Sequence, residues 1–375
     1  MRRLTTLAAT LVALAAVSAS AAAAEIVIAT VGPMTGQDAI FGEQLRRGAA
    51  LAVEAVNAAG GVLGRTVRLE VGDDACDPKQ AVAEAHRIAA RKVALVAGHY
   101  CSSSSIPAAP IYHEAGILQI TPASTAPALT DDAHKRGWRT VFRTYGRDDA
   151  QAKVAGRLLL DRFPGAAIAI LHDKTSYGRG LADETRAVLR KAGRNEAMYE
   201  AINRGERDFT ALVTRMKAAR IGVIYFGGYH IEAGLIVRQA RDQGLGAVLV
   251  SGDGLVSDEF WKISGPAGAG TLMTFAPDPR GEPAAAAVVA KFRAAGYEPE
   301  GYALYTYAAV QVWAAAANKA RSLKAGAVAA ALRGATYDTV VGRLRFDAKG
   351  DVIDPKYAVY AWRDGRYEVA IPASN

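Results

Sequence analysis

Residues 95–110 read LVAGHYCSSSSIPAAP. VALVAGHY (93–100), which leads into this stretch, is largely apolar and reads as a strand of a parallel sheet. A lone cysteine follows, then four consecutive serines, Ser102–Ser105. Hydroxyl side chains favour helix starts because they satisfy first-turn N–H groups that have no backbone partner. The stretch is therefore a strand that turns into a helix at the serines. The same unit recurs on both sides, and that repetition decides the fold class.

Upstream, EIVIATVGPM (25–34) is another continuous apolar run, and residues 42–59 place Leu45, Ala49, Ala52, Val53 and Val56 on one helical face before Gly60-Gly61. TVRLEVGDDA (66–75) is a strand, and Asp77-Pro78 supplies an N-cap and first-turn proline to a helix over 78–92. Downstream, GILQITPAS (116–124) is the next strand, residues 130–139 are looser, and VFRTYGRDD (141–149) reads as a crossover. Strands AAIAILHDK (166–174), GVIYFGGYH (222–230) and AVLVSGDG (247–254) each precede a helix-patterned segment. FAPDPRGEP (275–283) is a loop, followed by helices near 283–295, 302–320 and 323–333. The tail from 339 is strand-like, with turns at Lys349-Gly350 and Asp364-Gly365.

Two blocks of strand–helix alternation predict an α/β chain of two Rossmann-like lobes, with mostly parallel sheets flanked by helices and a three-segment hinge. The expected division is lobe 1 at 25–142 plus 273–350 and lobe 2 at 143–272 plus 351–375. Hinges are expected near 142–146, 271–275 and 348–353. A chain of 375 residues with 51% hydrophobic and 22% charged residues has ample material for two folded domains.

Residues 1–24 stand apart from this pattern. Arg2 and Arg3 precede an apolar run too short to span a bilayer, and the segment ends Ala-x-Ala. These are the parts of a secretory signal peptide cleaved after Ala24, so the mature chain is expected in the periplasm. No cysteine at the junction invites lipidation. Cleavage removes two arginines and lowers the net charge from +8 to +6. The remaining charge is scattered, without a basic stripe for nucleic acid.

Cys76 and Cys101 are the only cysteines. In an oxidising compartment an even pair reads as a disulfide, worth roughly 3–4 kcal/mol on the chain-entropy model; two buried free thiols are the alternative. Two cysteines and six scattered histidines do not make a zinc site, and HEAGI at His113 lacks the second histidine of a zinc-protease helix. No cofactor is expected. A secreted hydrolase using a serine with His99 or His172 is disfavoured by the absence of a Gly-x-Ser-x-Gly elbow. GRGLAD (178–183) is too incomplete for a dinucleotide fingerprint.

In open parallel sheets ligands bind beyond the carboxyl ends of the strands. The ends selected here are 32–36, 100–104, 121–125, 173–178, 227–230 and 252–254. Ser102 at a helix start is either an anion donor or a plain N-cap. TPAST (121–125) offers the Ala123 carbonyl and the Thr125 hydroxyl, with Ser124 between them. Tyr177 and Tyr229 are aromatic walls or packing residues. Asp253 is a helix cap or the acceptor for a ligand cation. As a set, these ends outline the binding of a zwitterionic amino acid.

The chain resembles the Leu/Ile/Val-binding proteins of bacterial branched-chain amino-acid ABC transporters, within the type I periplasmic binding proteins. The resemblance spans the whole mature chain and is carried by DDACDPKQAVAEAHRI (73–88), GHYCSSSS (98–105), ITPASTAPALT (120–130), ILHDKTSYGRGLADE (170–184), GERDFTALVTRMK (205–217) and GLIVRQARDQGL (234–245). It implies a Cys76–Cys101 disulfide. It implies a ligand carboxylate at Ser102 and Thr125, and an ammonium at the Ala123 carbonyl, Thr125 and the acid at 253. It further implies closure by Tyr177 and Tyr229, an aromatic Phe41 against the ligand side chain, a monomer, and membrane permease subunits as partners. Asp253 departs from the glutamate of the well-known Leu/Ile/Val binders. The shorter acid opens the way to an aromatic or ω-amino acid such as γ-aminobutyrate, with Tyr100 and His230 as further lining. A ligand sensor for a signalling partner would use the same cleft.

Overall fold

A computed structural model describes residues 24–373. The signal-peptide segment therefore lies, except for Ala24, outside the described residues. Five strands form the first sheet: β1 (Ile26–Gly32), β2 (Val67–Asp73), β3 (Leu95–Gly98), β4 (Leu118–Thr121) and β5 (Val141–Arg143). They are parallel throughout, in the order β2-β1-β3-β4-β5. Between them run α1 (Ala39–Ala58), α2 (Pro78–Ala90), α3 (Ser102–Glu114) and α4 (Pro127–Lys135).

After α5 (Asp148–Arg162) the pattern repeats with β6 (Ala167–His172), α6 (Ser176–Lys191), β7 (Met198–Ala201), α7 (Thr210–Ala218), β8 (Ile221–Gly227), α8 (His230–Asp242), β9 (Val248–Ser251), α9 (Glu259–Ser264) and β10 (Leu272–Phe275). The chain then returns to the first lobe for α10 (Ala286–Ala294), α11 (Ala303–Ala320), α12 (Ala325–Arg333) and the hairpin β11 (Tyr337–Thr339)–β12 (Gly342–Leu344). It crosses once more to add β13 (Ala358–Arg363) and β14 (Arg366–Ile371), antiparallel, at one edge of the second sheet. That sheet runs β14-β13-β10-β9-β8-β6-β7. No described helix is long and apolar enough to cross a membrane.

The strand pattern explains the layers. Val96, Ala97, Leu118, Ile120 and Phe142 are buried on the first sheet, as are Ile170, Ile224, Leu249 and Val250 on the second. Strands buried on both faces must be apolar throughout, which is why they read as unbroken runs. Helix α2 starts as its sequence dictates: the Asp77 side chain accepts from the N–H groups of Lys79 and Gln80, and Pro78 occupies the first turn. Helix α3 begins at the first of the four serines.

Two expectations shift. The looser stretch at 130–139 is partly helix α4, started by Pro127 in the first turn, where a missing N–H costs nothing. The boundary at 272/273, with its hinge at 271–275, falls inside β10. That strand pairs with β9 on one side and β13 on the other, so its backbone groups are engaged in the second sheet and are not free to flex. The second crossing follows Phe275.

Both sheets have their order reversal beside their first strand, between β1 and β3 and between β6 and β8. Loops leaving adjacent strands diverge there and open a crevice at each sheet's carboxyl edge. The two crevices face each other.

Candidate functional site

The first wall of the crevice comes from the loops after β3 and β4. The Cys76–Cys101 disulfide, with Cα atoms 5.6 Å apart, ties the loop after β2 to the start of α3. Thr121 Oγ1 accepts from the N–H groups of Ala123 and Ser124 and donates to the His99 carbonyl. Ser124 Oγ is 2.7 Å from Ser105 Oγ and within reach of the Tyr100 carbonyl at 2.9 Å. Ser102 Oγ accepts from the Ala126 N–H at 3.2 Å, which links the two loops and leaves its own hydroxyl proton available. His99 is held between Asp74 (2.5 Å) and Tyr112 (2.9 Å). Thr125 Oγ1 and Ser104 Oγ are buried without a hydrogen-bond partner among the described residues; the hydroxyls of Ser102, Ser105, Thr121 and Ser124 in this loop pair are engaged.

The second wall comes from Tyr177 in the first turn of α6, Tyr229 just before α8, and Asp253 in the turn after β9. Tyr177 donates its hydroxyl to Asp253 Oδ1 at 2.9 Å and accepts from the Gly254 N–H at 3.0 Å. Gln151 Nε2 donates to the same carboxylate oxygen at 3.1 Å. Asp253 is only 1% exposed, and burial raises its pKa to about 6 against the opposing hydrogen bonds from Tyr302 and Tyr177. A carboxylate taken from water without a full positive partner holds its proton more tightly.

The walls meet. Tyr302, which precedes α11 on the first lobe, donates to Asp253 Oδ2 at 2.8 Å. Tyr229 donates to the Cys101 sulfur at 3.2 Å, and His230 packs edge-on against Phe41 with ring centres 5.3 Å apart. Between the walls remains a cavity of about 10 Å³, about the room of one water molecule. Tyr100, Ser102, Ala123 and Tyr302 line it from the first lobe; Tyr177, Tyr229, Asp253 and Gly254 line it from the second.

Six of the residues singled out in the sequence thus share one cavity: Tyr100, Ser102, Ala123, Tyr177, Tyr229 and Asp253. Four others stand behind it. Ser124 is turned into the loop network. Phe41 stacks on the far side of Tyr100, with centroids 4.4 Å apart and planes 12° from parallel. Thr125 lies deeper, its carbonyl accepting from the Asp148 N–H at 3.0 Å. His230 lies behind Phe41, and burial together with Arg204 lowers its pKa to about 4.

Sequence reading missed Tyr302, Gln151 and Asp148. Tyr302 sits in a tyrosine-rich helix start that reads as packing, and Gln151 in a polar first turn that reads as solvated. Asp148 is fully buried, and neither of its carboxylate oxygens has a hydrogen-bond partner among the described residues. Burial, with the Asp253 charge second, pushes it well above the ordinary carboxylate range. Asp38 groups with Cys76 and Cys101 at metal-binding distances, but both sulfurs are consumed in the disulfide and offer no thiolate.

A family model described as periplasmic binding protein matches residues 25–366. The chain belongs to the periplasmic binding protein family. Among curated periplasmic binding proteins it is 48% identical to Leu/Ile/Val-binding protein homolog 1 of Brucella suis, over 95% of this chain and 96% of that one. It is 49% identical to an amino acid binding protein of Pseudomonas aeruginosa over 92% of both chains. Among solved structures, a leucine binding protein from Thermotoga maritima superposes with a TM-score of 0.85 at 26% identity, covering 93% of this chain and 99% of the other. A branched-chain amino acid substrate-binding protein from Streptococcus pneumoniae, in complex with isoleucine, gives 0.84 at 25% identity over 94% and 99%. The two-lobed type I architecture is shared with these periplasmic binding proteins.

Proposed function

We propose that this chain captures an amino acid of the branched-chain type in the periplasm, closes its two lobes around it, and presents the closed form to the permease subunits of an ABC importer. The observation that carries this reading is Asp253, the one carboxylate among the described residues of the cavity wall, which shares that wall with Ser102 and Ala123 of the opposite lobe. An amino acid bridges such walls. Its carboxylate accepts from Ser102 and the N-terminal end of α3, while its ammonium donates to Asp253 and the Ala123 carbonyl. Tyr177 and Tyr229 then seal the cavity. Thr125 takes part only if the loop after β4 turns its unpartnered hydroxyl forward.

The mechanism is binding without bond-making. The His99 imidazole is committed to Asp74 and Tyr112, and His172 Nδ1 accepts from the Lys174 N–H, so neither activates a serine. Closure follows from the ligand's differential contacts: only the closed form gives the ammonium both Asp253 and Ala123.

A second reading of the ligand is favoured by the crowding around Tyr100. Phe41 and Tyr302 wedge its ring in place, with Tyr302 5.3 Å away and 70° from parallel. A ring fixed there favours a small or linear amino acid, including an ω-amino acid such as γ-aminobutyrate, over a branched one. Calorimetric titration of the mature protein with leucine, isoleucine, valine, alanine and γ-aminobutyrate separates the readings. Micromolar or tighter binding of the three branched ligands supports the first. Preference for alanine or γ-aminobutyrate supports the second, and binding of none of them rejects both.

A further inference from the structure

We infer that Arg204 and Asp38 form a latch across the mouth of the crevice that holds the lobes shut without touching the ligand; the inference rests on the capture reading only for its kinetic consequence. Asp38 lies between β1 and α1 on the first lobe, and Arg204 lies between β7 and α7 on the second. Arg204 Nη2 is 2.6 Å from Asp38 Oδ2, and Asp38 is 1% exposed although it is an acid near the molecular surface. The guanidinium carbon lies 4.3 Å from the centre of the Tyr229 ring, so the same side chain braces the tyrosine that walls the cavity. Neither Asp38 nor Arg204 lines the cavity itself.

Their position is that of a bolt. On the outer side of the pair lies a solvent-open groove between the lobes, bordered by Ala75, Ser103, Asp173 and Ser176 as well as by the pair. On the inner side lies Tyr229. Opening the lobes along this line separates the two charges.

The surrounding charges show which partner the latch loses. Arg204 also feels Glu232 and Asp173, but both stand on its own lobe and stay beside it in any position of the lobes. Glu232 is already engaged by the Gly205 N–H at 2.8 Å, and Asp173 by Thr175. Asp38 has no such reserve. Its Oδ1 is without a partner among the described residues, and Arg204 is the only cation paired with it. Opening rehydrates Asp38 and leaves Arg204 its acidic neighbours. A pair of this kind adds little over an apolar contact, but removing one member strands the other as a buried charge. The latch therefore acts on the rate of release more than on ligand choice.

The test has two arms on the mature full chain. In the first, inter-lobe closure of the ligand-free protein is measured by small-angle X-ray scattering for wild type, Asp38→Asn, Arg204→Met and the double variant. The latch predicts a larger radius of gyration for each single variant and no further increase in the double. In the second, leucine dissociation is followed by stopped flow. The single variants are expected to release ligand on the order of 10- to 100-fold faster, with association within about twofold of wild type. The double variant should be no faster than Arg204→Met alone, and the leucine-to-valine affinity ratio should be unchanged. Independent, multiplying effects of the two substitutions, or an altered affinity ratio, would overturn the latch in favour of separate structural or ligand-contacting roles. Unchanged scattering and dissociation would overturn it outright. If wild type binds no leucine, the capture reading fails while the scattering arm still decides the latch.

Discussion

The two walls of the crevice are built on the same strand order but stand in opposite electrostatic conditions. On the first lobe, Thr121, Ser124, Ser105 and His99 hydrogen-bond one another, and a disulfide fixes the loop that carries them. On the second lobe, the decisive group is a carboxylate whose partners come partly from the opposite wall: Tyr302 reaches Asp253 across the gap. The difference is one of timing. A self-satisfied wall is ready before the ligand arrives, whereas a wall centred on a buried acid is completed by closure and by a cation. In the proposed capture, ligand docks on the first and is locked by the second.

The largest break in this contrast is Asp253→Ala. Removing the one acid among the described cavity residues should cost an amino acid ligand on the order of 2–5 kcal/mol, read as a Kd raised roughly 30-fold to several thousand-fold in calorimetry. Unchanged binding would put the ammonium elsewhere. The corresponding break on the first wall affects folding rather than recognition. Cys76→Ser with Cys101→Ser should lower unfolding free energy by roughly 3–4 kcal/mol in urea titration. The Kd of molecules that remain folded should change far less.

A finer contrast lies in two serines of the first wall. Ser124→Ala leaves the hydroxyl of Ser105 short of a partner and should destabilise the protein by about 1 kcal/mol with little change in affinity. Ser102→Ala, at the cavity surface, should do the reverse and weaken ligand binding by about 1 kcal/mol. Equal effects on stability and affinity from both variants would erase the distinction. The smallest effect belongs to Tyr302→Phe, which removes one of the donors to Asp253 while keeping the ring. Ligand-free stability should fall by about 0.5–1.5 kcal/mol, and the vacated carboxylate oxygen should leave amino acid binding intact or slightly improved.

Much of this was legible in the sequence because it is local. Apolar runs ending in glycine mark the strands, Asp77-Pro78 marks the start of α2, and the small polar residues at strand ends mark the crevice. What escaped reading depends on separation along the chain. Tyr302, Gln151 and Arg204 meet their partners across 49, 102 and 166 residues, and no periodicity records such a meeting. Phe41 shows the limit from the other side. Expected against a ligand side chain, it stacks on Tyr100 and does not line the cavity. Strand β10 was cut because the loop signals of FAPDPRGEP begin at its last residue, while its pairing to β13 depends on a segment far downstream.

The proposed capture rests on a ligand ammonium pairing with an ionised Asp253 inside the closed crevice. Burial raises the Asp253 pKa to about 6, which makes that pairing depend on pH. Below that value the ligand-free protein carries a proton on the acid, and the ammonium must displace it. Affinity is therefore greatest above pH 6 and falls as the pH drops through 6, toward a tenfold loss per unit. Calorimetry of leucine binding at pH 6, repeated in buffers of different ionisation enthalpy, counts the protons directly. Pairing with Asp253 should release about half a proton per leucine bound at pH 6, shrinking to none near pH 8. Proton uptake, or no proton exchange at either pH while leucine still binds, would contradict it.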